Sequence, residues 1–191
     1  MFTLWPIAIG MLLASSGGPS GDTPTGSMPH VRSASAPLRL LIEDTAAKSP
    51  RVRELLARLC GSDVIVYVEL SPSPQIPRAS TKLVTASPGV RFLRIAINAG
   101  VSGLDLAPLL AHELQHAVEI ADHPDVRDSD AVRRLYEKIG RRERTDSFET
   151  DAALDAEWQV RLECRQYAEA FAARAHRQPP VRPEPGVRAG G

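Results

Sequence analysis

An α+β fold is the expectation for this chain, and three observations predict it. Residues 64–70 form a β-branched run that reads as a buried central strand; residues 108–118 carry Glu113 as their one charge and read as a buried helix. Residues 148–177 contain no glycine or proline and are rich in Ala, Glu, Arg and Gln, so they read as one long closing helix. The order helix, strands, helix, helix suits a small antiparallel or mixed sheet packed on two helices. A chain of 191 residues that is 43% hydrophobic can bury one real core.

The ends read differently from the middle. Residues 1–16 carry a short apolar block, with Phe2, Leu4, Trp5, Ile7, Ile9, Met11, Leu12 and Leu13, followed by the small residues Ala14, Ser15 and Ser16. The block is too short for an ordinary membrane span and reads as a signal peptide or an N-terminal anchor; no Lys or Arg precedes it. Residues 17–37, rich in Gly, Ser, Pro and Thr with few apolar positions, read as a flexible linker. The domain is then expected over 38–177, and the Pro-, Gly- and Arg-rich stretch 178–191 as a disordered tail. An exported, periplasmic or extracellular location follows as an expectation, with membrane attachment only if the first block is retained.

Inside the domain, residues 39–43 are Leu-rich and read as an opening strand. Residues 49–59 place Val52, Leu55, Leu56 and Leu59 at helical spacing, with Gly61 as the stop. After the run at 64–70, the prolines at 72, 74 and 77 mark 71–79 as a loop. Residues 82–85 and 91–98 read as two strands of a hairpin around Ser87-Pro88-Gly89. Residues 98–103 read as a turn, with Asp105 as cap and Pro108 in the first turn of the next helix, where a missing N–H costs nothing. That helix is expected to run to about Asp122, stopped by Pro124, and a shorter one to occupy 129–139, ended by Gly140.

Lys and Arg number 23, as do Asp and Glu, so the formal net charge is zero. The pairs Arg133-Arg134 and Arg141-Arg142 have acids close by, which reads as solvated surface and argues against a nucleic-acid partner. In an oxidising compartment Cys60 and Cys164 could form one bridge between the first and last helices of the domain; two buried free thiols are the alternative.

The chemistry is concentrated in His112-Glu113-Leu114-Gln115-His116. At about 1.5 Å and 100° per residue, His116 lies one turn beyond His112 on the same helix face, close enough to share an ion. Glu113 points about 100° away from His112, beside such an ion, where a carboxylate can take a proton from water. Apart from Glu113, no charge lies between Asp105 and Glu119. Imidazoles and a carboxylate on so apolar a helix need partners, and a divalent metal is one. The alternative is two core histidines hydrogen-bonded to backbone.

This segment resembles the active-site helix of the zincin metallopeptidases, whose HExxH motif it matches over five residues, and the resemblance extends in element order over about 50–176. Together with a downstream glutamate it is most similar to the small gluzincins. The resemblance implies a compact zincin-like core, a Zn2+ cofactor, a peptide or protein substrate, and Glu113 as general base. Zinc in a catalytic site takes three protein ligands and keeps one open position. Glu149 is the candidate third ligand: from it, Ala153, Ala156, Val160, Cys164, Tyr167 and Phe171 fall on one apolar helix face, so it should point inward. Asp146 and Glu149 also fit a capping box, and Asp122, His123, Glu157 and Glu163 are alternative ligands. Tyr136, Tyr167, Arg141 and Arg142 are candidate oxyanion partners, and substrate could lie along the strand at 82–85. The rival reading is an exported metal-binding or inactive zincin-like domain that binds a partner; a third is an interaction domain without metal.

Overall fold

The computed structural model describes residues 30–75, 78–144 and 147–177. The expected signal or anchor at 1–16, most of the linker and the tail at 178–191 lie outside the described residues. Among the described residues the architecture is α+β: five helices, a four-stranded mixed sheet and a separate two-stranded one. Among the described residues no helix is long and apolar enough to cross a membrane.

The folded unit begins earlier than residue 38. Val31–Arg32 forms β1, which pairs in parallel with β2 (Val64–Ser71), and Val31 is buried. The expected strand at 39–43 is instead part of helix α1, Ala36–Lys48. Its buried residues Leu38, Ile42, Thr45 and Ala46 recur at helical spacing, and Pro37 sits in the first turn. Helix α2 (Pro50–Cys60) follows directly, with the Ser49 hydroxyl accepting the Val52 N–H at 3.0 Å as its cap.

Strands β3 (Ala79–Ser87) and β4 (Val90–Asn98) form the hairpin, with Gly89 at φ 77 in its turn. The sheet order is β1-β2-β4-β3, with β2 and β4 parallel and β3 an antiparallel edge. A register shift between Leu83 and Thr85 leaves Val84 as an exposed extra residue, which interrupts that edge. Strand β2 is central, but only Val64, Val66 and Val68 are deeply buried, while Tyr67 is exposed and stacks on Phe92. The sheet thus buries one face, where Leu93, Ile95 and Ile97 meet the helices.

Helix α3 (Gly103–Ala121) lies on that buried face. It starts earlier than expected: Ser102 is the cap residue, Asp105 lies in the first turn and accepts from the Ser102 hydroxyl at 2.9 Å, and Pro108 falls inside the helix. The bond Pro108 cannot make would run to the carbonyl of Leu104, which is 91% exposed, so water can take its place. Helix α4 (Ser129–Ile139) precedes a hairpin of β5 (Arg141–Arg144) and β6 (Ser147–Glu149), and α5 (Asp151–Arg177) closes the chain. The closing helix therefore starts at Asp151 rather than 148. Its core face runs through Ala153, Ala156 and Val160 to half-buried Cys164; Tyr167 and Phe171, expected on that face, are exposed. Cys60 and Cys164 are unbridged, and Cys60 is exposed.

Candidate functional site

Helix α3 carries His112, Glu113 and His116 into the interior, each less than a tenth exposed. The helical period stacks the two imidazoles edge to face, with ring centres 4.9 Å apart. Glu149 reaches them from the end of β6, just before α5, and not from within a helix. Its Oε1 lies 3.3 Å from His112 Nε2 and 3.7 Å from His116 Nε2. Ligand atoms of these three residues all fall within 4.8 Å of one another, so together they could hold a metal ion.

Behind each imidazole stands a second carboxylate. Glu119 Oε2 is 2.8 Å from His116 Nδ1, and Glu157 Oε2 is 3.3 Å from His112 Nδ1, close but without hydrogen-bond alignment. Burial disfavours a charge on His112, yet Glu157, Glu113 and Glu149 together outweigh it and raise its pKa. His112 in turn, with Arg78, holds the Glu157 carboxyl down at about 2 against the cost of burial. Burial also opposes charge on Glu119, but His116, Thr150 and Gln115 lower its pKa overall. Arg78 and Arg161 approach Glu157 Oε1 at 3.2 and 3.1 Å, and Arg161 continues to Asp105 at 2.9 Å.

Glu113 is oriented by the edge strand. Its Oε2 accepts from the Thr81 hydroxyl at 2.7 Å, and burial raises its pKa above that of an ordinary glutamate. Tyr136 supports His116 from the other side: its ring meets the imidazole edge-on at 5.4 Å, its hydroxyl donates to the His116 carbonyl at 3.1 Å, and it stacks on Phe148.

Comparison with protein-family models, curated proteins and solved structures found no match. What the site can do is therefore read from its own atoms.

Several expected roles shift. Asp122 ends α3 and pairs with Arg58, His123 Nδ1 bonds the Glu119 carbonyl, and Glu163 takes the Ser49 hydroxyl, so these three face other partners. Glu157 is beside the group, but on the Nδ1 side of His112. Of the expected oxyanion partners, Tyr136 has its hydroxyl committed to a backbone carbonyl, Tyr167 is on the exposed half of α5, and Arg141 and Arg142 pair with Asp151 and Glu137. The cap of α5 is Thr150, whose hydroxyl accepts the Ala153 N–H at 3.1 Å. Sequence reasoning missed Glu119, Thr150 and Thr81. For the first, its place three residues beyond His116 allows contact but does not select it over a surface position; for Thr150, its place before Asp-Ala-Ala is a capping signal. Thr81 had none, because it depends on sheet register.

Proposed function

We propose that the protein is an exported zinc-dependent metallopeptidase, similar in its active-site helix to the gluzincins, that hydrolyses peptide bonds. The observation that carries this reading is the approach of two Nε2 atoms and one carboxylate oxygen to a common point. Four bonds of about 2.1 Å to a tetrahedral zinc set donor atoms about 3.4 Å apart. The separations of 3.3 and 3.7 Å match that, and are long for charge-assisted hydrogen bonds of about 2.8 Å. Two imidazoles and a carboxylate are also a donor set that zinc takes in hydrolases. The apolar block near the amino terminus supports export.

His112, His116 and Glu149 would hold the ion. When bound, zinc supplies Lewis acidity, drawing charge from an oxygen so that water becomes acidic near neutral pH. The chain's own residues do the rest. Glu119 bonds His116 Nδ1, which leaves Nε2 of that ring as the bare donor, and Glu157 stands 3.3 Å from Nδ1 of His112. Thr81 binds Glu113 Oε2, and Oε1 takes the proton that water loses as its oxygen attacks the peptide carbonyl. The same carboxyl then returns that proton to the leaving amine as the C–N bond breaks. The free edge of β3, which carries Thr81, offers backbone groups to an extended peptide.

Purified protein is expected to carry one zinc per chain, and Glu149→Ala to carry much less. Hydrolysis of a mixture of unstructured peptides should stop on chelation and return on adding zinc. Zinc without hydrolysis would favour the partner-binding reading; wild type without zinc would overturn both readings that need metal.

A further inference from the structure

Thr150 makes three bonds that serve different elements. Its N–H donates to Glu149 Oε1 at 3.0 Å, the same oxygen that lies between the two Nε2 atoms. Its hydroxyl donates to Glu119 Oε1 at 2.7 Å and accepts the Ala153 N–H that begins α5. A hydroxyl has one proton to give, and here it goes to the carboxylate behind His116. Both Thr150, 3% exposed, and Glu119 are buried, so water does not readily replace this bond.

Glu119 in turn depends on its neighbours. Its Oε2 faces His116 Nδ1 at 2.8 Å, and Gln115 Nε2 lies 3.5 Å from Oε1. A buried carboxylate deprived of its closest neutral donor is no longer held in that orientation and turns toward other donors. His116 then loses the aligned acceptor that fixes which ring nitrogen is bare.

We propose that Thr150 is a positioning residue that couples the third metal ligand to the second, holding Glu149 through its N–H and aligning His116 through Glu119. This inference rests on the metal-site reading above. It gives the junction of β6 and α5 a task that a helix cap alone does not have.

The test compares zinc dissociation constants, measured by competition with a chromophoric chelator, together with the visible spectrum of the Co2+-loaded protein. Thr150→Val, which keeps the shape and removes the hydroxyl, is expected to bind zinc about 10- to 100-fold more weakly. Thr150→Ser should restore most of that affinity, and Glu119→Gln should weaken binding as Thr150→Val does. Asp128→Ala removes another cap, the carboxylate accepting the Ala131 N–H at 2.7 Å on α4, and should leave zinc affinity and the cobalt spectrum unchanged. Should Thr150→Val fail to fold, Glu119→Gln decides. Zinc bound normally by either folded variant, or weakened equally by Asp128→Ala, would overturn the positioning role alone. A wild-type chain that binds no zinc would overturn the site and this inference together.

Discussion

Glu113→Gln is expected to lower kcat/KM for peptide hydrolysis by about 10²- to 10⁴-fold while leaving one zinc per chain, because an amide cannot accept the proton that a carboxylate takes. The residue is isosteric and can still accept from Thr81, whose hydroxyl is 2.7 Å from Oε2. Packing around a side chain only 4% exposed should therefore survive. The variant also has a signature without substrate. In the metal-free chain, burial lifts the Glu113 pKa above its ordinary 4.5. A raised folded-state pKa contributes stability that is fully present below the unfolded pKa and is lost as pH rises through the folded value. Glutamine does not titrate, so Tm of the metal-free variant, relative to wild type, should rise from pH 4 toward pH 8. Equal hydrolysis by the two proteins would reject the peptidase reading, whatever the metal content.

Legibility in the sequence followed the strength of the local signal. Helix α4 was readable to the residue because Asp128 and Gly140 punctuate it and its apolar positions repeat at one period. The strand at 64–70 is readable from its β-branched run, and that at 91–98 from the apolar Phe92, Leu93, Ile95 and Ile97 beside a Ser-Pro-Gly turn. Helix α1 is not legible from Arg39 to Glu43 alone, because five residues cannot separate a period of 2 from one of 3.6; the wider spacing from Leu38 to Ala46 can. The β5–β6 hairpin left no signal, since Arg141–Arg144 is wholly charged and its partner strand offers one apolar residue, Phe148, which packs on Tyr136. For the site, a helical period was enough to place His112, Glu113 and His116 together. Glu149 precedes α5, which begins at Asp151, so its inward direction comes from the end of β6 and the turn at Thr150 and not from the apolar face of that helix. Glu119, three residues after His116, could equally have been a surface carboxylate; only burial against Thr150 decides.

Arg91→Met should destabilise the fold by about 3 kcal/mol or more, a large part of the roughly 5–15 kcal/mol that holds a domain together. Arg91 is 0% exposed at the start of β4, yet it is fully partnered. Its Nε and Nη2 bind the Asp63 carboxylate at 2.6–3.1 Å, and Nη1 donates to the carbonyls of Ile120, His123 and Val126, with Nη2 also reaching that of Ala121. These carbonyls belong to the end of α3 and the turn after it, where helical partners have run out. One guanidinium therefore fastens the C-terminus of the site helix to the sheet, and methionine of similar length fills the space but bonds none of them. Asp63, about a quarter exposed, would keep part of its hydration, which places the cost toward the lower end for a broken buried pair. The acid limb of stability provides a second readout. Arg91 is the main cause that holds the Asp63 carboxyl below its ordinary 3.8, against the smaller effect of burial. A depressed folded-state pKa contributes stability that is present above the unfolded value and lost as pH falls through the folded one. In Arg91→Met that contribution should vanish, so its urea midpoint should fall less steeply than wild type below pH 4. A shift under about 1 kcal/mol at neutral pH, with the urea m-value unchanged, would show that α3 is anchored by apolar packing alone.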